Sequence, residues 1–225
     1  MKKIISLLGI ALLATVNSAI AAPSLSFIIN GDTFGMPFEI TNQSTAGETV
    51  TRFQLDLSTI PANGPFCFDT VDGGPCNPNP QSSTAFSAAG GSGVTTGLTS
   101  PSSVTDGATL LNLLFNDFNV GETFRWNIDV DSATQVSVFG NDLIGASAFV
   151  DFSDGQRLLG TLRSVTGSPQ ASRFTVTGTT NVPEPGSLAL LAIGVAGVLR
   201  SRRRRVLVIG GNRANTVAVA PCNPV

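Results

Sequence analysis

The stretch Thr123-Phe124-Arg125-Trp126-Asn127-Ile128-Asp129-Val130-Asp131 decides how the chain is read. Phe124, Trp126, Ile128 and Val130 fall on one side of a period of two, and Arg125, Asn127, Asp129 and Asp131 on the other. A helix would scatter these apolar side chains around its axis. An extended strand gathers them on one face, because successive Cβ atoms point to opposite sides. The stretch therefore reads as a β-strand with a core face and a polar face turned to solvent.

Outward from it, short runs rich in Phe, Val, Ile and Thr recur at residues 25–30, 37–42, 49–57, 66–71, 134–139, 146–152, 157–163 and 173–178. Turn signals separate them: Asn30-Gly31-Asp32, Asn63-Gly64-Pro65, Asn119-Val120-Gly121 and Ser153-Asp154-Gly155. No helical period of useful length lies between residues 22 and 182. Strands at this spacing predict an all-β fold, a single β-sandwich or jelly-roll-like domain over residues 22–180. Residues 77–108, with few large apolar side chains beyond Phe86, Val94 and Leu98, are expected to form a long flexible loop.

Composition narrows the chemistry. The 225 residues include no histidine and no tyrosine, and the only lysines are Lys2 and Lys3. Ser-His-Asp and Cys-His nucleophiles, histidine zinc sites and a P-loop lysine are all excluded. The net charge of −2 averages unlike parts: residues 22–182 hold fourteen acids and five arginines, a formal −9. Phosphate binding needs clustered Lys and Arg, so no nucleic-acid partner is expected.

The N-terminus has the form of a secretory signal peptide over residues 1–21. Lys2 and Lys3 precede an apolar run from Ile4 to Val16, and Ala19 and Ala21 supply small residues before a cleavage point. The expected partners are the Sec translocon and signal peptidase, with a mature chain starting at Ala22. Cys67 and Cys76 flank a turn-rich segment and are expected to pair as a disulfide outside the cytoplasm. Cys222 is left over.

The C-terminal region carries three devices in succession. Pro183 and Pro185 bar helix around Glu184 and fix an extended strip. Residues 186–199 are apolar and small, and as a helix would reach only about 21 Å, short of a hydrocarbon core of roughly 30 Å. Arg200, Arg202, Arg203, Arg204 and Arg205 form a stop-transfer cluster that stays on the cytoplasmic side.

This arrangement resembles the PEP-CTERM sorting signal of Gram-negative bacteria: Val182-Pro183-Glu184-Pro185 matches its processing motif, Leu188-Ala189-Leu190-Leu191 its short membrane helix, and Arg202 to Arg205 its arginine cluster. The resemblance covers residues 181–205. It implies recognition by an exosortase, transit through the inner membrane, and a cargo associated with the cell surface, exopolysaccharide or biofilm matrix. Residues 206–225 depart from the family pattern, which ends at the arginines, and read as an atypical cytoplasmic tail.

Candidate chemistry in the body is sparse. Asp129 and Asp131 share a strand face with Asn127 and Arg125 and are candidate calcium ligands, with the Asn127 amide oxygen a further contributor, since calcium takes six to eight oxygens. A solvated edge or a local ion pair of Arg125 with an Asp accounts for the same residues. Asp151 and Asp154 read as strand-end and turn acids. No other cofactor and no catalytic residue is expected. A structural or binding role at the cell surface or in the exopolysaccharide matrix is the expectation. The alternatives are a calcium- or glycan-binding adhesion module and, further off, a secreted carboxylate-dependent glycoside hydrolase.

Overall fold

A computed structural model describes residues 22–179, apart from residues 36, 61–64, 78–82, 133 and 136, together with residues 194–195. The expected signal peptide, the strip at 182–185, the arginines from Arg200 to Arg205 and residues 206–225 lie outside the described residues. So does residues 186–199, except Gly194 and Val195, which are helical. The chain divides into two compact units, Met1–Asn181 and Val182–Val225. Among the described residues no helix is long and apolar enough to cross a membrane.

The first unit is built almost wholly of strands. They are β1 (Ser24–Asn30), β2 (Phe38–Asn42), β3 (Val50–Asp56), β4 (Phe66–Asp69), β5 (Ser87–Ala88), β6 (Leu98–Ser100) and β7 (Leu110–Phe118). After them come β8 (Thr123–Asn127), β9 (Asp129–Ser132), β10 (Ser147–Phe152), β11 (Arg157–Thr161), β12 (Arg163–Val165) and β13 (Ser168–Thr177). One sheet has the order β12-β13-β1-β2-β8-β5 and a second the order β11-β10-β3-β7-β6, while β4 and β9 form a ribbon of their own. All of the pairings are antiparallel.

The two large sheets share one core. Phe27, Phe38, Phe124 and Trp126 come from the first, and Phe53, Leu55, Leu113 and Val150 from the second. Rings meet across the gap: Phe27 against Phe53 at 4.9 Å and Phe124 against Phe115 at 5.2 Å between centroids. Trp126 is fully buried, stacked near Phe38 (5.3 Å), Phe124 (5.4 Å) and Phe27 (5.6 Å). Such offset aromatic contacts add to the area that burial removes from water. The alternation at 123–131 thus points its apolar side chains inward, as expected.

Several expectations need correction. The strand does not run unbroken from Thr123 to Asp131; it is interrupted at Ile128, with β8 in the large sheet and β9 paired to β4. The run at 134–139 makes only isolated bridges, Ser132 with Gln135 and Asp32 with Phe139. The run at 157–163 is two strands in different sheets, and buried Leu162 marks where the chain crosses between them. Residues 77–108 are more than a flexible loop: the described part holds β5, a short helix at Ser92–Thr95 and β6, and packs Phe86 and Leu98 on the core. β7 lay outside the predicted strands altogether.

Candidate functional site

The β4–β9 ribbon is the polar centre of the first unit. Its register sets Asp69 directly opposite Asp129, Phe68 opposite Val130, and Cys67 opposite Asp131. Phe66, Phe68 and Val130 turn one face to the core. Period-two alternation then puts Asp69, Asp129 and Asp131 together on the other face. Like charges directly opposite one another disfavour a strand pair, so the ribbon is held by other means. The Phe68 N–H donates to the Ala108 carbonyl (2.8 Å) on the outer edge of β4. The Thr84 N–H donates to the Asp69 carbonyl, and the Asp129 N–H to the Thr84 carbonyl.

The polar face is not turned to solvent. Asp69 and Asp131 have no exposed surface and Asp129 only 2 %. One carboxylate oxygen from each lies within 4.8 Å of those of the other two. Asp129 Oδ1 accepts from the Thr33 hydroxyl (3.0 Å) and the Val130 N–H (2.8 Å). Asp131 Oδ2 accepts from the Asn77 side-chain amide (2.6 Å). In each of these residues the second oxygen, Asp129 Oδ2 and Asp131 Oδ1, is buried and receives no hydrogen bond, and the same holds for both oxygens of Asp69.

Electrostatics follow from that geometry. Burial, then the nearby Asp106, Asp131 and Asp129 carboxylates, push Asp69 up to about 7. Burial and the Asp131 charge push Asp129 up to about 7, against the opposing hydrogen bonds from Thr33 and Val130. Burial also raises Asp131, opposed by Asn77. Asp106 behaves differently: burial works against ionisation, but N–H groups of Thr70, Cys76 and Val71 outweigh it and hold the carboxyl below its usual range. Asp106 thereby pins the loop that follows β4, through contacts of 2.6 Å to Thr70, 3.2 Å to Cys76 and 3.2 Å to Val71.

The same loop is closed covalently. Cys67 and Cys76 form the expected disulfide, with 5.7 Å between their Cα atoms. Both sulfurs lie 3.8 Å from the Asp131 carbonyl oxygen. A disulfide has no proton to donate, so these are packing contacts that seat the bridge on β9.

The two calcium candidates, Asp129 and Asp131, are brought together, and Asp69 joins them. Arg125 is exposed and pairs with Glu39 across β2 and β8 at 2.6 Å, not with an Asp as the alternative ion-pair reading had it. Asp69 was missed, and its strand partner was wrongly placed at the surface. The available signal was Cys67-Phe68-Asp69 itself: a disulfide cysteine and an acid two residues apart share one face. Asp151 binds Arg157 in bidentate fashion (2.6 and 2.7 Å), and Asp154 caps a turn by accepting from Gln156, as structural acids do.

Comparison with known proteins bears on the second unit. Residues 181–205 match the family model of the PEP-CTERM protein-sorting motif. No curated protein and no solved structure matches the chain. The matched segment includes Val182-Pro183-Glu184-Pro185, the apolar run and the arginines. The chain therefore carries a PEP-CTERM sorting signal at residues 181–205, which implies an exported protein sorted to the cell surface by an exosortase.

Proposed function

We propose that the protein is a non-catalytic structural or binding module of the cell surface or extracellular matrix, delivered through the inner membrane by its C-terminal signal. The observation that carries this reading is the sorting motif attached to a disulfide-stapled, all-β unit. An oxidising compartment suits the bridge between Cys67 and Cys76. The signal peptide would bring in the Sec translocon and signal peptidase, and the family resemblance makes exopolysaccharide the candidate matrix partner.

The positions of the acids support a role other than hydrolysis. A glycosidase needs two carboxyl groups flanking a bond that a sugar chain can reach, about 5–9.5 Å apart. Asp69, Asp129 and Asp131 are buried, and Trp126, the one tryptophan, is locked in the core and cannot stack on a sugar ring. Replacing Pro183, Glu184 and Pro185 together by alanine should leave unprocessed chain in the inner-membrane fraction and deplete the surface fraction. Unchanged surface delivery would refute the sorting part. Turnover of any polysaccharide by the purified protein would refute the non-catalytic part.

A further inference from the structure

We propose that Asp69, Asp129 and Asp131 form a calcium site on the polar face of the β4–β9 ribbon, one ion per chain, joining β4 to β9. This inference stands apart from the sorting reading and uses none of its observations.

Four buried carboxylate oxygens without a hydrogen-bond donor converge there: both of Asp69, Asp129 Oδ2 and Asp131 Oδ1. Buried polar atoms are nearly always satisfied, and each exception calls for a partner. The oxygens that are satisfied belong to the same residues and are held by Thr33, Val130 and Asn77. Each of Asp129 and Asp131 is thus oriented by one oxygen and presents the other. That is how supporting hydrogen bonds hold carboxylates towards a metal.

Spacing fits the ion. Two ligands on opposite sides of one calcium are separated by about 4.6–5.2 Å, twice the usual calcium–oxygen distance. The three acids offer oxygens that all lie within 4.8 Å of one another, so a single coordination sphere spans them. Asp69, whose oxygens take no N–H or hydroxyl donor and face the Asp106 and Asp131 carboxyls, can bind through the pair, and water completes the six to eight positions calcium prefers. Magnesium demands closer, near-ideal octahedral geometry, so the two ions are told apart by titration.

Charge and ligand type point the same way. The charged neighbours that act on the three acids include further acids, Asp106 and Asp32. Two of the arginines of the first unit are engaged elsewhere, Arg125 with Glu39 and Arg157 with Asp151. Buried carboxylates crowded together need a counter-charge. The chain has no histidine, and both cysteines near the site are in a disulfide, so the donor set is oxygen alone, the preference of a hard cation.

The test is a calcium chloride titration of the full chain, freed of metal by chelation, followed calorimetrically and by thermal denaturation. One saturable calcium per chain and a raised melting temperature are expected. Asp69→Asn should weaken binding by roughly tenfold or more and lose the thermal shift, while melting in chelator no lower than the native sequence, because it removes a crowded charge. Asp154→Asn, at an exposed turn, should bind as the native sequence does. Absence of calcium binding at millimolar concentration would overturn the proposal. So would native affinity in Asp69→Asn, or magnesium binding as tight as calcium. Should Asp69→Asn fail to fold, Asp129→Asn and the native titration decide.

Discussion

Removing the disulfide tests how the β4–β9 ribbon is fastened. Cys67 and Cys76, nine residues apart in sequence, enclose the loop from Phe68 to Pro75. On the chain-entropy account, closing a loop of this length stabilises the fold by about 2.6 kcal/mol. Cys76 is buried, so Cys67→Ala with Cys76→Ala also loses packing against Asp131, bringing the total to about 3 kcal/mol. For a body of this size that is a drop in melting temperature of roughly 6–12 °C. Calcium affinity should fall too, because Asn77, next to Cys76 in the chain, holds Asp131. The assay is thermal denaturation by circular dichroism of the double variant, and of the native sequence with and without a reducing agent. Reduction keeps both side chains and should give a slightly smaller loss, about 2.6 kcal/mol. A melting temperature within about 1 °C of native would refute the reasoning, since the three N–H bonds to Asp106 would then suffice to fix the loop.

Two further outcomes are expected. In chelator, stability should fall as pH rises from about 4 to about 7. Asp69 and Asp129 are raised from 3.8 to about 7, so the folded state binds more protons across that window, and the advantage, about 4 kcal/mol for either group alone, is lost once they ionise. Melting curves at several pH values check this, and calcium should flatten the slope. Trp126→Ala should cost about 3–5 kcal/mol, measured by urea denaturation, because the indole stacks near Phe27, Phe38 and Phe124 in the core.

The residues explain what could be read from sequence and what could not. Alternation at Phe124, Trp126, Ile128 and Val130 identified the core face, because strand geometry alone fixes which side chains share a side. It could not say what covers the opposite face. Asp129 and Asp131 are buried under Thr33, Asn77 and the disulfide loop, all distant in sequence. The strand Leu110–Phe118 has no sequence signature because leucines occupy both faces: Leu111 and Leu113 are buried while Leu110 and Leu114 are exposed to about two-fifths. Such a run has no period of two to detect. Asp69 was hidden for a related reason. Its meaning comes from register with Asp129 across β4 and β9, and pairing partners are a tertiary fact.

The sorting signal was legible because its devices are contiguous. Prolines, apolar run and arginines follow one another within residues 181–205, and each acts through local backbone geometry, length or charge. The acid cluster is the opposite case, assembled from segments sixty residues apart in the chain.

The account rests most directly on delivery, and intact-mass and terminal-peptide mapping of the protein harvested from the cell surface tests it. The predicted result is a chain that begins at Ala22, ends near Pro183-Glu184-Pro185, lacks Arg200 to Arg205, and keeps Cys67 joined to Cys76. Recovery of surface protein that still carries the arginine cluster, or still begins at Met1, would contradict it.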